Sequence, residues 1–149
     1  MTISKVSSRS YRPRTRVRTV QALVLAALLL PQAALAFTSI NRLRVNPVDA
    51  NVFEVVGEPG TNGPEYWCAA ADYAQRQLRA AWRAPLYIAR TRGPSVTTGR
   101  RSAVQFTLNP TAAGVTPTNA SVSLNALRTG NSMSVQLAHT YCQMRPSRF

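Results

Sequence analysis

The chain has 149 residues, with 18 Lys and Arg against 5 Asp and Glu, a single His and 2 Cys, for a formal net charge of +13. One histidine, two cysteines and so few acids count against a metal centre, which needs three or four ligands, and leave little material for acid–base catalysis. The positive balance points to acidic partners such as anionic envelope polymers, lipid headgroups or nucleic acid, and says little about fold.

Residues 1–36 carry the three parts of a Sec signal peptide in the expected order. Lys5, Arg9, Arg12, Arg14, Arg16 and Arg18 form a positive segment without an acid. Val20 to Leu30 is almost wholly apolar, yet shorter than the roughly 20 residues a permanent membrane span needs. Pro31 interrupts it, and Ala34-Leu35-Ala36 places the cut before Phe37. No adjacent Arg pair marks the twin-arginine route, and no Cys follows the cut to carry a lipid. The expectation is a periplasmic or secreted bacterial protein with no permanent membrane span after cleavage. Residues 37–149 then form a single small domain with twelve Arg against five acids, a net charge of +7. All of these basic residues are Arg, as the coding bias of a GC-rich genome would give.

Along that domain, Leu43 and Val45 alternate with Arg42 and Arg44, Asn46 to Asn51 carries turn chemistry, and Val52 to Val56 is a second apolar run. This reads as a hairpin or two short strands. Gly57 to Pro64 (GEPGTNGP) is a loop by composition. From Glu65 to Trp82, Trp67, Ala70, Ala71, Ala74, Leu78 and Ala81 recur at helical spacing, with Glu65, Asp72, Arg76, Arg79 and Arg83 on the opposite, solvated face. Pro64 suits the first helical position, Glu65 the positive end of the helix dipole, and Asp72 with Arg76 an i,i+4 pair. Cys68 falls at the border between the faces.

Beyond the helix the period changes to two. Leu86 to Ala89 and Ala103 to Leu108 read as strands, separated by a basic loop from Arg90 to Ser102 with room for a short strand at Ser95 to Thr98. Ser121 to Leu127 and Ser132 to Cys142 read as an antiparallel pair about Arg128-Thr129-Gly130-Asn131, with Met133, Val135 and Leu137 facing the core. The fold class is α+β, with one amphipathic helix packed on a small antiparallel sheet. Two cysteines in an exported chain allow one intramolecular pairing, a Cys68–Cys142 disulfide.

The chemistry-bearing residues are sparse. Gly93 to Arg101 (GPSVTTGRR) has five residues between its glycines where the P-loop has four, and Arg where the P-loop has Lys, so it is not read as a nucleotide site. No G-x-S-x-G elbow serves the lone His139. What remains is the cluster Arg90, Arg92, Arg100 and Arg101 in a Gly/Ser/Thr-rich loop with free backbone N–H groups, suited to phosphate or carboxylate. Nucleic acid fits less well, because the loop lacks interleaved aromatics and export removes the usual targets. The expected function is a non-enzymatic binding or accessory protein of the bacterial envelope, its basic surface meeting an acidic polymer or an acidic protein surface. The alternative is a small exported hydrolase using Asp72, Glu65 or His139. Neither reading implies a cofactor or a metal.

Overall fold

The computed structural model describes residues 36–118 and 123–144. The segment read as a signal peptide therefore lies outside the described residues except for Ala36, as does the start of the Ser121 to Leu127 element. In chain order the elements are β1 (Phe37–Thr38), β2 (Arg44–Pro47), β3 (Val52–Val56), α1 (Gly63–Arg76), β4 (Pro85–Gly93), β5 (Ala103–Thr107), β6 (Ser132–Ser134) and α2 (Val135–Thr140), with a 3₁₀ turn at Tyr141–Gln143. The strands form one antiparallel sheet in the order β1-β2-β3-β5-β4-β6. The expected α+β class, the β2–β3 hairpin and the Cys68–Cys142 bridge are all present.

The apolar residues that alternate along the strands explain how the layers meet. Val45, Phe53, Val55, Val104 and Phe106 face α1, whose Ala69, Ala70, Ala71 and Ala74 are wholly buried. The small side chains let the helix lie close on the sheet, and larger rings fill the space around them. Phe53 meets Tyr73 at 4.6 Å between ring centroids, and Trp67 meets Phe106 edge-on at 5.2 Å. Ring pairs of this kind contribute about 0.5–1.5 kcal/mol each beyond their burial. The disulfide joins buried Cys68 of α1 to Cys142, with a Cα–Cα distance of 4.9 Å, and so ties the second helical segment onto the first.

Three expectations need correction. The helix is shorter at its C-terminal end, stopping at Arg76 rather than running to Trp82. Arg79 adopts φ 54°, and the N–H groups of Leu78 and Ala80 return to the carbonyls of Tyr73 and Ala74, closing the last turn. Leu78 and Trp82 consequently stand 46% and 44% exposed instead of extending the buried stripe. At the other end the helix begins at Gly63, with Pro64 second. Asn62 is the N-cap, and its side chain accepts from Glu65 N–H while the Glu65 carboxylate accepts from Asn62 N–H.

Asp72 is not on a solvated face. It is 2% exposed, accepts the Ile40 N–H at 2.8 Å and pairs with Arg76 at 3.1 Å, so only the expected i,i+4 contact survives. Finally, Ser132 to Cys142 is not one strand, and it has no partner strand in Ser121 to Leu127, whose described residues form a turn at 124–126. Three residues pair with β4, then the Ser134 hydroxyl accepts the Leu137 N–H and opens α2, which buries Val135 and Ala138 at i,i+3 spacing. Leu137, expected in the core, is 49% exposed.

Candidate functional site

The stretch read as a basic loop from Arg90 to Ser102 divides in two. Its first part continues β4 to Gly93, so Arg90 and Arg92 sit on a strand, with register irregularities on either side of Arg90. The second part is a turn, not a strand at Ser95 to Thr98, and it folds over the sheet face opposite α1. Asn46, Glu54, Gln105 and Arg90 lie side by side across β2, β3, β5 and β4.

Glu54, fully buried, is the anchor of that turn. Its carboxylate accepts hydrogen bonds from the Ser95 and Thr97 hydroxyls and from the Val96 and Thr97 N–H groups, at 3.1 and 2.9 Å for the two amides. Arg90 Nη2 stands 3.9 Å from it and also donates to the Pro94 carbonyl at 2.6 Å. The loop does cradle an anion, but the anion is the protein's own. Other donors of the loop are spent internally too, Thr98 N–H on Ser95 Oγ and Arg100 N–H on Thr98 Oγ1. Burial pushes the Glu54 carboxyl up, but the hydrogen bonds from Ser95, Thr97 and Val96 outweigh it and hold the group below the usual glutamate range.

The other three arginines of the cluster meet at a cleft of about 710 Å³. One wall is the Gly57–Asn62 segment of the loop before α1, and the other is the Gly99–Ser102 segment before β5. Sequence reading kept these two loops apart. They are joined by Gly57 N–H donating to the Ser102 carbonyl at 2.8 Å and by Tyr66 and Ser102 hydroxyls 2.7 Å apart. Gly57 is required at this seam, because a Cβ there would overlap the Tyr66 hydroxyl. Arg92 lies with its guanidinium 5.1 Å from the Tyr66 ring centroid and donates to the Thr61 carbonyl at 3.2 Å. Arg100 pairs with Glu58 at 2.8 Å, both side chains 56% exposed. Arg101 is exposed and has no acidic partner within ion-pair distance among the described residues. Arg90 does not line the cleft.

A cleft with three guanidinium groups and one carboxylate is chemically suited to holding anions by charge-assisted, bidentate hydrogen bonds. The α1 N-terminus does not add to it, since the Gly63 N–H is taken by Asn125 Oδ1 and that of Glu65 by Asn62. The residues of the hydrolase alternative are elsewhere, and none of the three lines the cleft. Glu65 is held in its capping box, Asp72 is two turns further along α1, and His139 on α2 packs edge-on against Trp82 at 5.3 Å. Among the described residues no three or more His, Cys, Asp or Glu side chains group as a metal site, and no helix is long and apolar enough to cross a membrane. Comparison with known proteins finds no matching family model, no matching curated protein and no matching solved structure.

Proposed function

We propose that this protein is an exported, non-enzymatic binding or accessory module of the bacterial envelope, periplasmic or secreted, that holds an acidic partner in the cleft between the Gly57–Asn62 and Gly99–Ser102 segments. The observation that carries the reading is the convergence of Arg92, Arg100 and Arg101 on that cleft, with Glu58 its one acidic lining residue among those described. The signal-like residues 1–36 and a disulfide between the two cysteines agree with an oxidising compartment outside the cytoplasm. The commitment of Glu65 and Asp72 to structural contacts adds weight against the hydrolase alternative.

The test is capture of partners from the native envelope fraction by crosslinking, with wild type beside an Arg100→Ala/Arg101→Ala variant. Retention should fall steeply with salt, since exposed charges are screened over roughly 10 Å at 0.1 M. The double variant should lose most of its partner while its Tm hardly moves, because an exposed ion pair such as Arg100–Glu58 contributes only about 0–1 kcal/mol. Arg83→Ala and Arg128→Ala, exposed positions that do not line the cleft, are the charge-matched controls. Retention by the double variant equal to wild type would overturn the reading.

A further inference from the structure

The cleft does not end at Arg100. On the other side of the Arg100–Glu58 pair lies a second cleft of about 420 Å³, which shares Glu58, Gly99 and Arg100 with the first. Its remaining basic groups are Arg44, pointing outward from β2, and Arg42, in the turn before it, where φ is 69° and the Arg42 N–H donates to the Ser39 carbonyl. Both side chains are exposed and neither has an ion-pair partner among the described residues. Among the described residues, five arginines thus line two adjoining clefts in which Glu58 is the one acid. Among the described residues no aromatic side chain lines either cleft, so neither offers a surface there on which a base could stack.

Resting on the proposed function, we infer that the two clefts form one track for a linear, phosphate-repeat polyanion that crosses the Arg100–Glu58 pair. Arg92 and Arg101 hold one end of the segment, Arg42 and Arg44 the other, and Arg100 the middle. A single small anion would fill one cleft and leave the other empty, whereas a chain charged at every repeat uses both. The lack of a stacking platform favours a ligand recognised by its phosphoryl groups alone over one read through its bases. Glu58 is the internal stand-in for the central phosphate, and the ligand displaces it from Arg100, which an exposed pair allows at small cost.

Binding to the isolated protein is measured with long-chain inorganic polyphosphate, pyrophosphate, and poly-glutamate of matched charge, over a salt series. Polyphosphate should bind about tenfold or more tightly than pyrophosphate, with log K falling against log salt by about 0.7 per phosphate contacted, as for a single-stranded polyanion. Arg42→Ala/Arg44→Ala should weaken polyphosphate binding about tenfold and reduce that slope by about two contacts' worth, leaving pyrophosphate binding within about twofold. Glu58→Gln should tighten binding about threefold by removing the competing charge; Glu58→Ala, with Tm recorded for both, covers the case where one variant fails to fold. Polyphosphate binding that ignores chain length or the Arg42/Arg44 change overturns the track while leaving the first cleft's function standing. Equal binding of poly-glutamate overturns the phosphate assignment, and so does failure of polyphosphate to bind while Arg100- and Arg101-dependent capture of an envelope protein persists. Weaker binding by Glu58→Gln overturns displacement. Absence of any polyanion binding and of any capture sinks both the inference and the function on which it rests.

Discussion

Glu54 interrupts an otherwise apolar strand, Val52 to Val56, and is buried with it. Taking a carboxylate out of water costs several kcal/mol, and only good geometry with further hydrogen bonds offsets that. Here the Ser95 to Thr97 turn supplies those bonds, so the residue and the turn depend on each other. Because the folded-state pKa lies below the ordinary value, the stabilisation is present in full above that value and is lost as pH falls through the folded one. Acid weakening from this group should therefore begin near pH 4.3, the ordinary glutamate value. Glu54→Gln keeps the shape but turns a two-oxygen acceptor into a group with one oxygen and two donors, facing N–H and O–H groups that need acceptors. It should lower stability by about 2–4 kcal/mol and speed amide exchange at Val96 and Thr97 first. Its acid profile should also flatten at the low-pH end. Unchanged stability with the same profile would mean that the turn does not rest on Glu54.

At the scale of elements, the sequence was legible wherever one face alone decided the pattern. The alternation in Leu43 to Val45 follows burial on a single side, whereas β5 and the Tyr66–Ala74 stretch of α1 are buried throughout, and there the spacing of Val104 and Phe106 or of Trp67, Ala70, Ala71 and Ala74 marks the face that packs on the opposite layer. It was misleading where a polar cap or a covalent tie between residues distant in sequence decided instead. Val135 and Leu137 fit a strand period, but the Ser134 cap turns the chain into a helix, and the bridge at Cys142 holds that helix against α1. The end of α1 carries no glycine as a stop signal, since Arg79 itself takes the left-handed conformation. Of the site, the four arginines were visible, but not the approach of the Gly57–Asn62 loop to three of them, which depends on the Gly57–Tyr66 contact. The disulfide gives this level its test. For a sequence separation of 74, chain entropy puts its contribution at about 4 kcal/mol. The native protein should contain no titratable thiol, and reduction should lower Tm by tens of degrees at most while exposing α2 to proteolysis before the sheet. Two free thiols in freshly isolated protein, or identical cleavage with and without reductant, would contradict this.

Across the whole molecule, each of the five carboxylates has a structural task. Asp49 accepts the Asn51 and Val52 N–H groups in the β2–β3 turn, Glu54 anchors the far-face turn, Glu58 pairs with Arg100, Glu65 closes the α1 capping box, and Asp72 joins Ile40 to Arg76. Glu54 and Asp72 are buried and Asp49 and Glu65 hold turn and cap N–H groups, so Glu58 alone is left to face the arginines of the clefts. The same economy of contacts reaches the start of the sheet. Phe37 pairs with Val45, packs edge-on against Tyr73 at 5.4 Å and lies 5.0 Å beneath the Arg76 guanidinium. If export removes Met1 to Ala36, the mature N-terminus is the first residue of β1, and none of these contacts is lost. N-terminal analysis of the exported protein should then read Phe37, and a chain expressed from Phe37 should unfold in urea at the same midpoint as the exported form. Starting instead at Ser39 removes β1, its ring contact and the cation–π contact, and uncovers part of Tyr73. That chain should lose about 1–3 kcal/mol at nearly constant m. A midpoint unmoved by the loss of Phe37 and Thr38 would show that β1 is a passive edge, and an exported form retaining Met1 to Ala36 would remove the reason for placing the mature start there.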